Sequence, residues 1–96
     1  MTVDPGPARY AVRFTPAAER ELHRLRADDA ARLRRPILSL VLDPRPPGSA
    51  GIAGSPYLRL RIGDLRVVYQ VQEGERIVIV VRVARRSEST YRRLPG

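Results

Sequence analysis

Residues 57–91 read YLRLRIGDLRVVYQVQEGERIVIVVRVARRSESTY. Three strand-forming runs follow one another there with almost nothing between them. Residues 57–62 alternate strictly, with Leu58, Leu60 and Ile62 facing one way and Tyr57, Arg59 and Arg61 the other. Gly63-Asp64 is a two-residue hairpin signal. Residues 65–72 form a second strand, richer in β-branched side chains and therefore central. Glu73-Gly74-Glu75 reads as a three-residue turn. Residues 76–84 are nearly all β-branched, the mark of a strand buried on much of both faces.

The turns set the register. A two-residue turn pairs Ile62 with Leu65, Arg61 with Arg66 and Arg59 with Val68. A three-residue turn pairs Gln72 with Arg76, Gln70 with Val78 and Arg66 with Arg82. Ile77, Ile79, Val81 and Val83 then share the apolar face, and Arg61, Arg66 and Arg82 stand side by side on the other. Like charges directly opposite on a sheet repel. No carboxylate meets them in this register, so the face gains by binding an anion. Arginine suits that task, because its planar fork matches phosphate with two parallel hydrogen bonds.

Upstream, residues 43–56 (DPRPPGSAGIAGSP) read as a loop, long for a small domain. Residues 28–42 make a helix with an apolar stripe of Ala30, Leu33, Ile37, Leu40 and Val41, capped by Asp28 or Asp29 and kinked at Pro36. Residues 16–26 form a shorter amphipathic helix with Ala18, Leu22 and Leu25 inward, Thr15 as N-cap and Pro16 at the first position. Residues 9–14 alternate as a strand. The single His23 lies on the polar side of its helix, with no catalytic partner in view. Residues 1–8 are a loose leader and 85–96 a basic tail. The expected architecture is one α+β domain over residues 1–96, ordered β-α-α-β-β-β. Its helix hairpin covers one face of a small, mostly antiparallel four-stranded sheet.

The chain carries 18 Arg+Lys against 10 Asp+Glu, net +8, and every basic residue is arginine. That excess points to a polyanionic partner such as nucleic acid. There is no cysteine, so neither a disulfide framework nor a thiolate metal site is expected. No metal or other cofactor is suggested, and the loop lacks the lysine of a phosphate loop. No apolar run reaches membrane-spanning length, and a soluble cytoplasmic protein is expected.

The GDLRVVYQV run, the VARRSESTYR tail, the opening RYAVRFTPAAERELHRL and the DPRPPG segment together resemble RelE-type toxins of the RelE/ParE toxin–antitoxin superfamily. The resemblance spans residues 9–93. It implies a toxin that enters the ribosome, cleaves mRNA there and is neutralised by a cognate antitoxin in a hetero-oligomer. Carried over by position, it implies catalytic roles for Arg59, Arg61, Arg66, Arg86 and Tyr91. Tyr57, Arg82, Arg85, Arg92 and Arg93 are the further RNA-binding candidates. The implied chemistry is metal-independent: the ribose 2′-OH attacks the adjacent phosphate, with arginine stabilising the phosphorane. Many relatives carry lysines in the loop and the strand where this chain has none, and arginine is a poor general base. The spacing from Arg86 to Tyr91 also differs by a residue. Two alternatives therefore stand beside the endonuclease: a ParE-like gyrase poison, and a ribosome-binding toxin with decayed catalysis.

Overall fold

A computed structural model describes residues 9–86 of the chain. Tyr91, Arg92 and Arg93 lie outside the described residues. The elements are β1 (Ala11–Phe14), α1 (Pro16–Arg24), α2 (Ala27–Ser39), β2 (Ser49–Gly51), β3 (Leu58–Ile62), β4 (Leu65–Gln72) and β5 (Ile77–Arg85). They build one sheet in the order β1-β5-β4-β3-β2. Strand β1 runs parallel to β5, and every other pairing is antiparallel. The α+β class is as expected, but the sheet has five strands rather than four. The extra strand is cut from the expected loop. Ser49, Ala50 and Gly51 pair with Leu60, Arg59 and Leu58. Three small residues carry no alternation, so only the exposed backbone edge of β3 recruits them.

Each helix starts for a local reason. Thr15 Oγ1 accepts from the Ala18 N–H at 3.1 Å and Pro16 opens α1. The chain leaves the helix at Leu25, whose backbone is extended, and α2 begins two residues later. Arg26 stands at its N-cap without a side-chain cap bond. Asp28 and Asp29, expected as caps, sit in the first turn instead, where carboxylates favour the positive end of the helix dipole. The helix continues through Pro36 to Ser39. Pro36 has no N–H to give the Arg32 carbonyl, a cost the buried stripe Leu33–Ile37–Leu40 offsets. Among the described residues, no helix is long and apolar enough to cross a membrane.

The main core lies between the helices and one sheet face: Ala18, Leu33, Ile37 and Leu40 against Leu60, Leu65, Val67, Tyr69, Val78, Val80 and Val83. Tyr69 is fully buried and its hydroxyl donates to the Pro44 carbonyl at 2.7 Å, tying the loop down. Burial also pushes the phenol of Tyr69 above its usual range. The opposite face carries a second, smaller cluster of Tyr57, Val68 and Val81, with Ile52 and Ile79 against it.

The β3–β4 register is the expected one: Ile62 opposite Leu65, Arg61 opposite Arg66, Arg59 opposite Val68. The β4–β5 register is not. Gln72 pairs with Ile77 and Gln70 with Ile79, because the turn takes in Arg76 as well. Arg76 has φ +54°, a left-handed conformation, and its N–H donates to the Glu73 carbonyl at 3.3 Å. This one-residue slip puts Val78 and Val80 in the main core and sends Ile79 to the other side. A bulge at Val81 then restores the phase. Tyr69 pairs with Val80 but Val68 pairs with Arg82, and Val83 returns to the main core. Arg66 therefore faces Ala84, not Arg82.

Candidate functional site

Strict alternation on β3 and β4 sends Arg59, Arg61 and Arg66 to the face away from the helices, because Leu58, Leu60, Leu65 and Val67 are held in the main core. Arg61 and Arg66 are direct cross-strand partners, and Arg59 lies one pleat along. Their environments differ. Arg61 is exposed and Arg59 half-buried. Among the described residues, neither makes an ion pair.

Arg66 is buried, with 6% of its surface exposed. Its Nη1 donates to the carbonyls of Gly63 at 2.7 Å and of Leu65 at 2.8 Å. Burying a guanidinium against carbonyls alone leaves its full charge uncompensated. Its Nε and Nη2 make no hydrogen bond to the described residues, and among the described residues no buried side-chain nitrogen lacks a partner. Those nitrogens therefore open to the surface. The site presents a buried cation held by two carbonyls beside an exposed one, on adjacent strands.

The other sequence candidates are placed differently. Arg82 lies diagonal to Arg66, and its Nε donates to Glu21 Oε2 at 3.2 Å. Glu21 also accepts from the Val83 N–H at 3.0 Å. The expectation that no carboxylate reaches this arginine is corrected: α1 lies along the part of β5 that β1 leaves uncovered, and brings one. Arg85 pairs with Leu65, on the helix side, and is ion-paired to both Asp29 and Asp64. Arg86 is exposed, and its backbone N–H donates to the Asp64 carbonyl at 2.7 Å. Tyr57 is on the arginine face but 93% covered, packed on Val68 and Val81 rather than presented for stacking.

Sequence reasoning missed three carboxylates: Glu21, Asp29 and Asp64. For Asp29 a signal existed. It precedes Leu33 by four residues, and so falls on the apolar stripe of α2. A carboxylate on that stripe needs a buried partner, and Asp29 has two, Arg32 at 3.2 Å and Arg85. Among the described residues no cluster of three or more side chains suits a metal ion.

Comparison with known proteins supports the same fold. The family described as ParE toxin of type II toxin-antitoxin system, parDE, matches residues 12–90. No curated protein matches the chain. Among solved structures, the RelBE2 toxin–antitoxin complex of Mycobacterium tuberculosis matches at 26% identity and TM-score 0.73, covering 81% of this chain and 99% of that one. The intact RelBE complex of E. coli matches at 21% identity and TM-score 0.72, covering 84% and 100%. A YoeB/ParE toxin from Agrobacterium tumefaciens matches at 17% identity and TM-score 0.68, covering 79% and 98%. With a family match over most of its length and an α+β sheet of the same shape, the chain belongs to the ParE toxin family of type II toxin–antitoxin systems, within the RelE/ParE superfamily.

Proposed function

We propose that the protein is a ribosome-dependent mRNA endonuclease that arrests translation and is neutralised by an antitoxin. The observation that carries this reading is the Arg61–Arg66 pair, two guanidiniums facing each other across adjacent strands with no carboxylate beside them among the described residues. Such a pair is repulsive until an anion sits between them. A phosphodiester matches it: Arg66 offers oriented donors and Arg61 follows the substrate. In the transition state of 2′-OH attack, charge gathers on the non-bridging oxygens, where these donors act most strongly. Arg59 and Arg86 extend the basic track along the RNA backbone. Tyr91, from the tail, is assigned the stacking or proton-transfer role that the family resemblance implies. The antitoxin is assigned because solved relatives are toxin–antitoxin complexes. It would present an acidic segment to this face.

Induced expression followed by mapping of mRNA 5′ ends, beside a DNA-damage reporter, tests the reading. Cleavage within translated codons, lost in Arg61→Ala and Arg66→Ala, supports it. DNA damage with intact mRNA overturns it in favour of the second reading, a gyrase poison, which the ParE description of the matching family favours. Ribosome binding without cleavage would mark a toxin whose catalysis has decayed, the outcome that the absence of lysine favours.

A further inference from the structure

The Gly63-Asp64 turn does more than reverse the chain. Its two successive carbonyls hold two different parts of the arginine site. The Gly63 carbonyl accepts from the Arg66 guanidinium at 2.7 Å, and the Asp64 carbonyl accepts from the Arg86 backbone N–H at 2.7 Å. The turn is itself held. Asp64 and Asp29 alternate with Arg85 and Arg32 in a four-membered ring of charge. Arg85 reaches both carboxylates, and Arg32 lies 3.5 Å from Asp64 and 3.2 Å from Asp29. The ring joins α2, the β3–β4 turn and the end of β5. Gly63 has φ +60°, which favours glycine, and a Cβ there would displace the Arg32 guanidinium from its place in the ring.

We propose that Asp64 is a positioning residue for the arginine site: with the buried Asp29 it holds Arg85 as a strut on the helix side, so that one turn keeps Arg66 and Arg86 in a fixed relation. Arg85 then acts through the two carboxylates and not by touching RNA. The inference rests on the anion-binding reading of the Arg61–Arg66 face. The Asp64 carboxyl is held below its ordinary range. Desolvation raises it, but its own backbone N–H, Arg85 and Arg32 outweigh that. It therefore stays charged in the ring at neutral pH.

The test exploits a difference in sign. Asp64→Asn raises the net charge by one, so plain electrostatics predicts tighter binding of RNA. A positioning role predicts weaker binding, by about tenfold, the scale on which small misplacements of a site act. The measurement is the affinity of the purified full-length chain for a short single-stranded RNA, with thermal melting as the folding check. Amide hydrogen exchange at Arg86 is followed in the same variants. Weaker binding with faster exchange at Arg86 supports the proposal. Arg85→Lys, which keeps one ion pair, should recover part of the loss seen in Arg85→Gln. The double variant Asp64→Asn/Arg85→Gln should lose no more than the worse single one. Unchanged or tighter binding by Asp64→Asn, with Arg86 protected as in the parent, overturns it. If the parent chain itself binds no RNA, the anion-binding reading falls. The clamp is then decided by Arg86 exchange alone, faster exchange in Asp64→Asn supporting it and unchanged exchange overturning it.

Discussion

Arg61 and Arg66 occupy equivalent sheet positions, yet they are different chemical instruments. Arg61 is an exposed cation, whereas Arg66 is buried and bound to two carbonyls. Arg66→Lys keeps the charge but loses the planar fork, so on the proposed function cleavage should fall by about tenfold or more while the melting temperature shifts little. Single-turnover cleavage on programmed ribosomes measures the first and a calorimetric melt the second. Arg76 shows residue-scale strain of another kind. A left-handed φ of +54° costs an arginine about 1–2 kcal/mol. Glycine adopts it freely at an entropic cost of roughly 0.5–1 kcal/mol. Arg76→Gly should therefore stabilise the fold by about 0.5 kcal/mol, read from denaturant unfolding.

At the scale of elements, the bulge in β5 does most to shape the site. With Val81 paired in a regular ladder, Val80 and Val83, three residues apart, would fall on opposite faces; bulging Val81 out lets both reach the main core. Deleting Val81 removes the bulge and leaves a regular ladder with Val80 and Val83 still in the main core, so a cooperative thermal transition should survive, with a loss of about 1–3 kcal/mol for the packing of Val81 on Tyr57 and Val68. The edge of β5 beyond β1 is completed by a side chain. Glu21 takes the Val83 N–H and the Arg82 guanidinium together. Glu21→Ala should cost about 1–2 kcal/mol, since a charged acceptor to a backbone donor is lost at a half-buried edge. Faster amide exchange at Val83 would locate the loss. Helix α1, legible from its apolar spacing, thus has a function in the sheet that no helical pattern displays.

Across the whole molecule, charge bears on stability and, on the proposed function, on the binding of RNA. Among the described residues, two carboxylates lie below their ordinary values. Glu73 is lowered by the Tyr10 hydroxyl, which donates to it at 2.5 Å, and by Arg45. Asp64 is lowered within its ring despite desolvation. A carboxylate with a lower pKa in the folded chain binds its proton more readily unfolded. Its contribution is complete above the unfolded value, 4.5 for Glu73 and 3.8 for Asp64, and is lost as pH falls through the folded one. The melting temperature should hold near neutrality and drop in that acid range, and Glu73→Gln should flatten the drop. On the proposed function, binding of single-stranded RNA should depend on salt. Three phosphate contacts from Arg59, Arg61 and Arg66 predict a slope of log affinity on log salt of about −2. A titration between low and moderate salt reads that slope directly.

By itself the sequence determined everything that rests on short-range repetition. The two helices, the three strands of residues 57–85 and the pairing of Arg61 with Arg66 follow from periods of 3.6 and 2 and from a two-residue turn. Hairpin register is local, so the centre of the candidate site was legible. The rest depended on residues far apart in the chain. The left-handed Arg76 and the bulge at Val81 shift β5 because the main core takes Val78, Val80 and Val83 together. Glu21, Asp29 and Asp64 reach Arg82 and Arg85 because α1 and α2 lie where the core face seats them. Tyr57 is covered because Ile52 and Val81 pack on the second face. Periodicity tells which way a side chain points, while its partners depend on how the elements assemble, and that is settled by packing the core as a whole.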